Sequence, residues 1–202
     1  MPFWLGKEPL MLASNSEIRR SILLAAGIPL EVASAEIDER AVAARASASD
    51  PGNIAALLAR EKALAVAARL PGRLVLGADQ TLALGSRVFS KTENIAGARA
   101  QLKLLRGKSH FLHSAIALAR DDSLVFEDSA SASLTMRNFS DEFLELYLAA
   151  AASTVTTSVG AYQVENLGIH LFDEIAGDHF TILGLPLLRL LHALRREGFV
   201  AA

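Results

Sequence analysis

Asp79 stands inside the apolar stretch Leu74-Val75-Leu76-Gly77-Ala78-Asp79-Gln80-Thr81-Leu82-Ala83-Leu84. Pro71-Gly72 before the stretch and Gly85-Ser86 after it mark turns, so the run reads as a buried strand. A carboxylate buried without partners is expensive, so Asp79 must meet a cation or hydrogen-bond donors, or the strand must open there into a cleft. An aspartate that caps a strand end fits poorly, because the apolar pattern resumes at Leu82. Gly77 and Ala78 leave room for a ligand to approach the backbone.

The other candidate groups suit a polyanion. Ser14-Asn15-Ser16-Glu17 lies between an apolar strand, Leu10–Ala13, and a helix carrying Ile18, Ile22 and Leu23. Strand, hydroxyl-rich turn and helix together present backbone N–H groups to an anion. Arg19 and Arg20 fall in the first turns of that helix, where positive charge opposes the macrodipole unless an anion is bound. Solvated surface arginines are the alternative at this segment. Lys62 interrupts the apolar face of a later helix, and Lys91 closes the hairpin partner of the Asp79 strand. A lysine at helical spacing is most often a solvated or salt-bridged residue, and adjacent Glu61 points elsewhere. Magnesium takes a few carboxylate oxygens and completes its shell with phosphates and water, so a small number of acids is enough. The five histidines form no helical metal-ligand pair, and His110 and His113 on one strand point to opposite faces. All five read as structural or surface residues. No nucleophile elbow, Walker loop or dinucleotide fingerprint is present.

These groups need scaffolding. The helix from Glu17 stops near Gly27-Ile28-Pro29, and Leu30–Ala33 reads as a strand leading into Glu36-Ile37-Asp38-Glu39-Arg40. Ser47 to Gly52 reads as a turn, with Asp50 capping and Pro51 opening a helix to about Ala68. Ile54, Leu57, Leu58, Leu64 and Ala65 are its expected buried face. Arg87–Phe89 pairs back on the Asp79 strand, and Thr92 or Asn94 caps a helix closed by Gly107. Two strands follow, Lys108–Ala119 and one ending near Met136, joined by Asp121-Asp122. Ser140 caps a helix over Asp141–Ala150, and Gly160 to Gly168 reads as a polar loop. Ile169–Ile175 and Phe180–Leu183 are expected strands, and Gly184-Leu185-Pro186 opens the last helix. The mixed order suggests an α/β fold whose sheet is not purely parallel.

The 202 residues suffice for one large domain or two lobes around a shared sheet, and 51% of them are hydrophobic. A net charge of −2 argues against nucleic-acid binding through general electrostatics. The absence of cysteine excludes disulfides and thiolate chemistry and fits a reducing compartment. There is no secretory signal pattern at Met1–Pro9 and no apolar run of membrane-spanning length, so a soluble cytoplasmic protein is expected.

The order of the pieces resembles the Maf family of nucleotide pyrophosphatases. The likeness rests on Leu12-Ala13-Ser14-Asn15-Ser16-Glu17-Ile18-Arg19-Arg20, Ile37-Asp38-Glu39, Arg60-Glu61-Lys62-Ala63, Gly77-Ala78-Asp79 and Lys91. It continues through Leu105-Arg106-Gly107-Lys108-Ser109-His110, Gly160-Ala161-Tyr162 and Gly184-Leu185-Pro186-Leu187. It covers about Leu10 to Gly198 and implies one such domain over 1–202, with 1–9 as an N-terminal extension. It also implies two lobes around an extended mixed sheet with a central cleft, as in Maf- and ITPase-like folds, and often a homodimer. The implied reaction cleaves nucleoside triphosphates to the monophosphate and pyrophosphate, with Mg²⁺ or Mn²⁺. Ser14, Arg19, Lys62 and Lys91 would hold phosphates, Glu39 and Asp79 would serve the metal, and Asp79 would accept the proton of the attacking water. Glu17 and Thr92 stand where the family often has proline, so phosphate geometry would differ in detail.

Three further positions follow from the resemblance alone. Members preferring thymidine and uridine triphosphates have arginine, threonine and glutamine at the positions of Ile18, Gln80 and Glu165. Members preferring 7-methyl-GTP have tryptophan, glutamine and glutamate. This chain matches the second group at Gln80 and Glu165, which implies a purine or modified-purine preference. The family is also linked to septum formation, so a nucleotide-binding regulator of cell division that need not turn over is the alternative function.

Overall fold

The computed structural model describes residues 3–46 and 50–202. The sheet is seven-stranded, with order β2-β1-β3-β5-β6-β7 and β4 paired to β3. Its strands are β1 Leu10–Leu12, β2 Leu30–Val32, β3 Leu74–Leu84, β4 Arg87–Phe89, β5 Ser109–Arg120, β6 Ser123–Met136 and β7 Phe172–Ala176. β1 pairs in parallel with both β2 and β3, and every other pairing is antiparallel. The α/β class and the mixed sheet expected above are present.

The helices are α1 Glu17–Ala25, α2 Glu39–Arg45, α3 Pro51–Ala67, α4 Ile95–Leu105, α5 Asp141–Ala151, α6 His179–Ile182 and α7 Leu187–Arg196. Three cores form on this frame. α1 and α7 cover one face of β1 and the first half of β3, meeting Leu10, Leu12, Leu74, Leu76 and Ala78. α3 covers the opposite face, meeting Met11, Val75, Ala115, Ala117 and Ala119. The far ends of β3, β5 and β6 carry a second lobe built with α4, α5 and the Ala161-Tyr162 loop. One long sheet thus runs through two lobes. The N-terminal residues join the first, where Trp4 bridges Val200 and stacks on Phe199.

α3 turns a different face inward from the one expected. Ala55, Ala59, Lys62, Ala63, Val66 and Ala67 are buried, whereas Ile54, Leu57, Leu64 and Ala65 are only partly so. The cause is close approach to the sheet. A Cβ on Gly77 would lie 2.0 Å from the Ala59 carbonyl oxygen and 2.7 Å from the Ala63 nitrogen, so only glycine on β3 and small residues on α3 fit. Burial of Leu58 and Val66 completes the stripe.

Three other local expectations are corrected. Phe180–Leu183 is not a strand, because α6 begins there with Asp178 accepting hydrogen bonds from Thr181 N and Oγ1 at 2.8 and 2.9 Å. A short apolar run alone cannot separate these states, and the cap decides. The strand expected over Ile169–Ile175 is a 3₁₀ turn, Leu167–Leu171, followed by β7. α2 was not anticipated, and Asp38 caps it by accepting from Arg40 N and Ala41 N at 3.0 Å. The turn expected from Ser47 falls partly outside the described residues, but Asp50 caps α3 with Pro51 at its start. Of the two candidate caps for α4, Asn94 accepts from Gly97 N at 2.9 Å.

Candidate active site

β1 lies between two parallel neighbours whose connecting helices sit on opposite faces, α1 on one and α3 on the other. Such a reversal leaves a crevice beyond the carboxyl ends of the parallel strands, the usual ligand position in open α/β sheets. β1 ends at Leu12, and Ala13 N still reaches the Leu76 carbonyl at 2.8 Å. The next β3 carbonyl facing this way, Ala78 O, has no strand partner among the described residues. It accepts instead from Arg19 Nη1 at 2.8 Å.

Arg19 fills the split between β1 and β3. Its Nε donates to Gly184 O at 2.8 Å, and Nη1 also donates to Ser14 Oγ at 3.1 Å. The side chain comes from the first turn of α1, whose cap Ser16 accepts from Arg19 N. Burial pushes the guanidinium's pKa down from its ordinary value, and the charges of Asp79 and Glu39 oppose that shift. Its neighbour Arg20 is exposed, as a surface arginine would be.

Across the sheet, Lys62 Nζ lies 2.6 Å from Asp79 Oδ1 and 2.8 Å from Glu39 Oε1. α3 supplies the lysine, β3 the aspartate and α2 the glutamate, so three separate elements meet on one ammonium. Asp79 and Lys62 are buried at 9% and 7% exposure, while Glu39 is exposed. The partner that burial demands for Asp79 is thus Lys62, and this lysine is not a solvated one. The second oxygen of each carboxylate accepts no hydrogen bond from the described residues. No cluster of three or more metal-ligating side chains occurs among the described residues. Two converging carboxylates suit a hard divalent cation that takes its remaining ligands from water and phosphates.

Gln80 points to the opposite face from Asp79, as alternation along a strand requires. Its Nε2 donates to Ser114 Oγ at 3.0 Å, Thr181 O at 3.2 Å and Ile182 O at 3.0 Å. Ile18 is half-buried against the first-lobe core, Glu165 is exposed on the Tyr162–Gly168 loop, and Lys91 is exposed just beyond β4. Lys91 makes no ion pair among the described residues. Ser14, Arg19, Lys62, Asp79 and Glu39 therefore gather at the crevice, and the side chains of Ile18, Gln80, Glu165 and Lys91 make no hydrogen bond or ion pair with that cluster among the described residues. Ser114 and Thr181 carry no motif in the sequence, and Gly184 stands there only as the start of the last helix and part of the family likeness. A lone serine inside an apolar strand was the only signal for Ser114.

The second lobe has its own buried polar cluster. His110, with 0% exposure, lies 2.7 Å from the Tyr162 hydroxyl through Nε2, while its Nδ1 has no hydrogen-bond partner among the described residues. Tyr147 donates to Ala161 O at 3.2 Å. Burial pushes His110 down from 6.5 to about 4 and raises Tyr162 well above the ordinary tyrosine value.

Fold and site together define an α/β protein with cationic groups and paired carboxylates at the switch point of an open sheet. The profile of Maf-like proteins matches residues 9–197, and the chain belongs to that family. It is 56% identical, over all of both chains, to a nucleoside triphosphate pyrophosphatase of Rhodopseudomonas palustris strain BisB18. A nucleoside triphosphate pyrophosphatase of Bradyrhizobium diazoefficiens is 55% identical over the full length of both chains. A 7-methyl-GTP pyrophosphatase of Rhizobium etli is 46% identical over 95% of this chain and 97% of its own.

Proposed function

We propose that this protein is a nucleoside triphosphate pyrophosphatase that releases pyrophosphate by attack of water on the α-phosphorus. The observation that carries this reading is the juxtaposition of Arg19 and Ser14 with the Asp79–Lys62–Glu39 cluster at the switch point. Full-length likeness to two proteins named nucleoside triphosphate pyrophosphatase supports it. Phosphoryl-type transfer is mainly positioning and charge neutralisation, which matches a site of cations and carboxylates without a nucleophilic side chain.

Arg19 and Ser14 bind phosphate oxygens from the α1 side, and Lys62 neutralises charge from α3. Asp79 orients the attacking water and receives its proton at a carboxylate oxygen. Lys91, exposed just beyond β4, contacts the polyphosphate only when substrate is present. A divalent cation, Mg²⁺ or Mn²⁺, held by Asp79 and Glu39 would supply Lewis acidity and a more acidic water. A carboxylate is a weak base at neutral pH, so such assistance makes the proton transfer easier. Matches at Gln80 and Glu165, together with likeness to a protein named 7-methyl-GTP pyrophosphatase, favour purine or modified-purine substrates.

The test is pyrophosphate release from dTTP, UTP, GTP and 7-methyl-GTP with Mg²⁺, with Mn²⁺ and with a chelator. Release that needs the cation is the expected result. Binding of triphosphates without pyrophosphate release under any of these conditions would overturn the reading.

A further inference from the structure

Two pieces of the chain singled out in the sequence, Lys108-Ser109-His110 and Gly160-Ala161-Tyr162, take no part in the proposed chemistry, yet they meet. His110 Nε2 lies 2.7 Å from the Tyr162 hydroxyl, and both side chains are buried. The Tyr162 ring packs edge-on against Phe172 at 4.8 Å and folds back over Gly160. A Cβ on Gly160 would lie 2.2 Å from that ring, so only glycine lets the tyrosine turn inward there. Ala161 has φ +58, a left-handed conformation uncommon for a residue with a side chain. Such a backbone persists where its surroundings over-determine it. Tyr147, donating to Ala161 O at 3.2 Å, and Ser158, donating to Tyr162 O at 2.5 Å, supply that hold.

The turn that follows is closed on itself. Asn166 N donates to Gln163 O at 3.1 Å, and Asn166 Nδ2 donates to Gln163 Oε1 at 2.9 Å. A Cβ on Gly168 would lie 2.4 Å from Gln163 O, so the chain leaves the turn directly against the point where it entered. Exposed Glu165 stands within this unit and moves with it. The buried side chain at the root of the turn is Tyr162, and its hydroxyl is tied to β5. Alternation puts His110 on the same face of β5 as Ser114, which stands opposite Gln80 and accepts from its amide at 3.0 Å. Four residues of one strand, about 13 Å, thus separate the anchor of Glu165 from the anchor of Gln80. Asp79, opposite Ala115 on that strand, lies on the other face.

We infer that His110 and Tyr162 are positioning residues for the base end of the substrate: their hydrogen bond sets where Glu165 stands relative to Gln80. It rests on the proposed reading of Gln80 and Glu165 as the residues that meet the base. The sheet acts as a ruler, because β5 holds both anchors in one register and a base edge tolerates little displacement of its partners. Loss of the bond therefore alters the ranking of bases and leaves the phosphate groups on Arg19, Ser14 and Lys62 as they were. A residue needed only for the fold would instead weaken every ligand alike.

The experiment compares Tyr162→Phe, His110→Leu, His110→Gln and Glu165→Gln with the parent. It measures kcat/KM for dTTP, UTP, GTP and 7-methyl-GTP, and calorimetric affinity for these and for inorganic tripolyphosphate, which has no base. Tyr162→Phe removes one oxygen and should change the purine-to-pyrimidine ratio of kcat/KM by about tenfold, with tripolyphosphate affinity within about twofold of the parent. His110→Leu should do the same, and His110→Gln, which keeps a hydrogen-bond partner for the hydroxyl, should restore the parental ratio. Adding Tyr162→Phe to Glu165→Gln should move the ratio little further, because both act on one contact. A parental ratio in Tyr162→Phe and His110→Leu would overturn the inference, as would losses shared by all nucleotides and tripolyphosphate. Should Tyr162→Phe fail to fold, His110→Leu and His110→Gln decide by the same criteria. If Glu165→Gln leaves the ranking unchanged, the reading of Glu165 fails and takes the inference with it, whereas a ranking moved by Glu165→Gln alone overturns only the inference. A parent that binds nucleotides without cleaving them refutes the proposed function, and the affinity ratios then decide the inference.

Discussion

Each lobe buries a polar cluster, and the two are built on opposite principles. In the first lobe, Lys62 lies within 2.6 and 2.8 Å of two carboxylates from different elements. In the second, the one hydrogen-bond partner of the His110 side chain among the described residues is the Tyr162 hydroxyl, at 2.7 Å from Nε2, and Nδ1 has none. A buried charge needs opposite charge or several donors to replace water, and a phenol cannot supply that to an imidazolium. His110 is accordingly pushed down to about 4, a neutral group at physiological pH. The charged cluster opens on the crevice through exposed Glu39, whereas the neutral one is sealed among Tyr162, Phe172 and the second core. Charge is kept where a ligand can exchange with it, and avoided where only packing is required.

The most severe break in this contrast is Asp79→Asn. The amide keeps the shape and loses the negative charge, so turnover should fall by about 10³-fold or more in a pyrophosphate-release assay. The melting temperature should change little, because Glu39 still faces Lys62. Preserved turnover would exclude Asp79 from the chemistry, and collapse of the fold would make it a structural residue.

Lys62→Ala should act on both fold and function. It removes the shared cation and leaves Asp79 buried with like charge nearby, a loss of about 3 kcal/mol in urea-denaturation stability together with weaker triphosphate binding. A variant that binds triphosphate normally would confine Lys62 to the fold.

His110 sharpens the other side through pH. Its folded pKa lies below the unfolded one, so the unfolded chain takes up the proton first as pH falls. Stability is full above about 6.5 and is lost progressively as pH drops to about 4, by roughly 3 kcal/mol in all. His110→Gln keeps a partner for Tyr162 and cannot protonate, so the difference between variant and parent stability should shift toward the variant across that window. An unchanged difference between pH 7 and pH 4 would refute the assignment.

Lys91→Ala should have the smallest effect. The residue is exposed and makes no ion pair among the described residues, so melting should be unchanged while the KM for triphosphate rises by a factor of about 5. An unaltered KM would remove Lys91 from the site.

Much of this was legible in the chain. Apolar runs, caps and turns located β3, the β5–β6 hairpin, α5 and α7, and the burial cost of Asp79 required a partner before any partner was visible. Ser14, Arg19, Lys62, Asp79 and Glu39, linked at first by family likeness, do gather at one crevice. The α6 segment reads as a strand in the sequence, because Phe180–Leu183, apolar but for Thr181, suits a strand as well as a helix until the Asp178 cap is placed.

What the sequence determined by itself was the local alphabet: which segments are regular, which carboxylate could not be left alone, and which turns need glycine. Tertiary structure alone decided the partners. Lys62 meets Asp79 because Gly77 lets α3 descend onto β3, a fact of packing between residues far apart in the chain. Likewise Gln80 turns away from Asp79 by strand alternation, but only the arrival of α6 determines what its amide will hold. Local preferences act through a few neighbouring residues, whereas these contacts depend on the path of the whole chain.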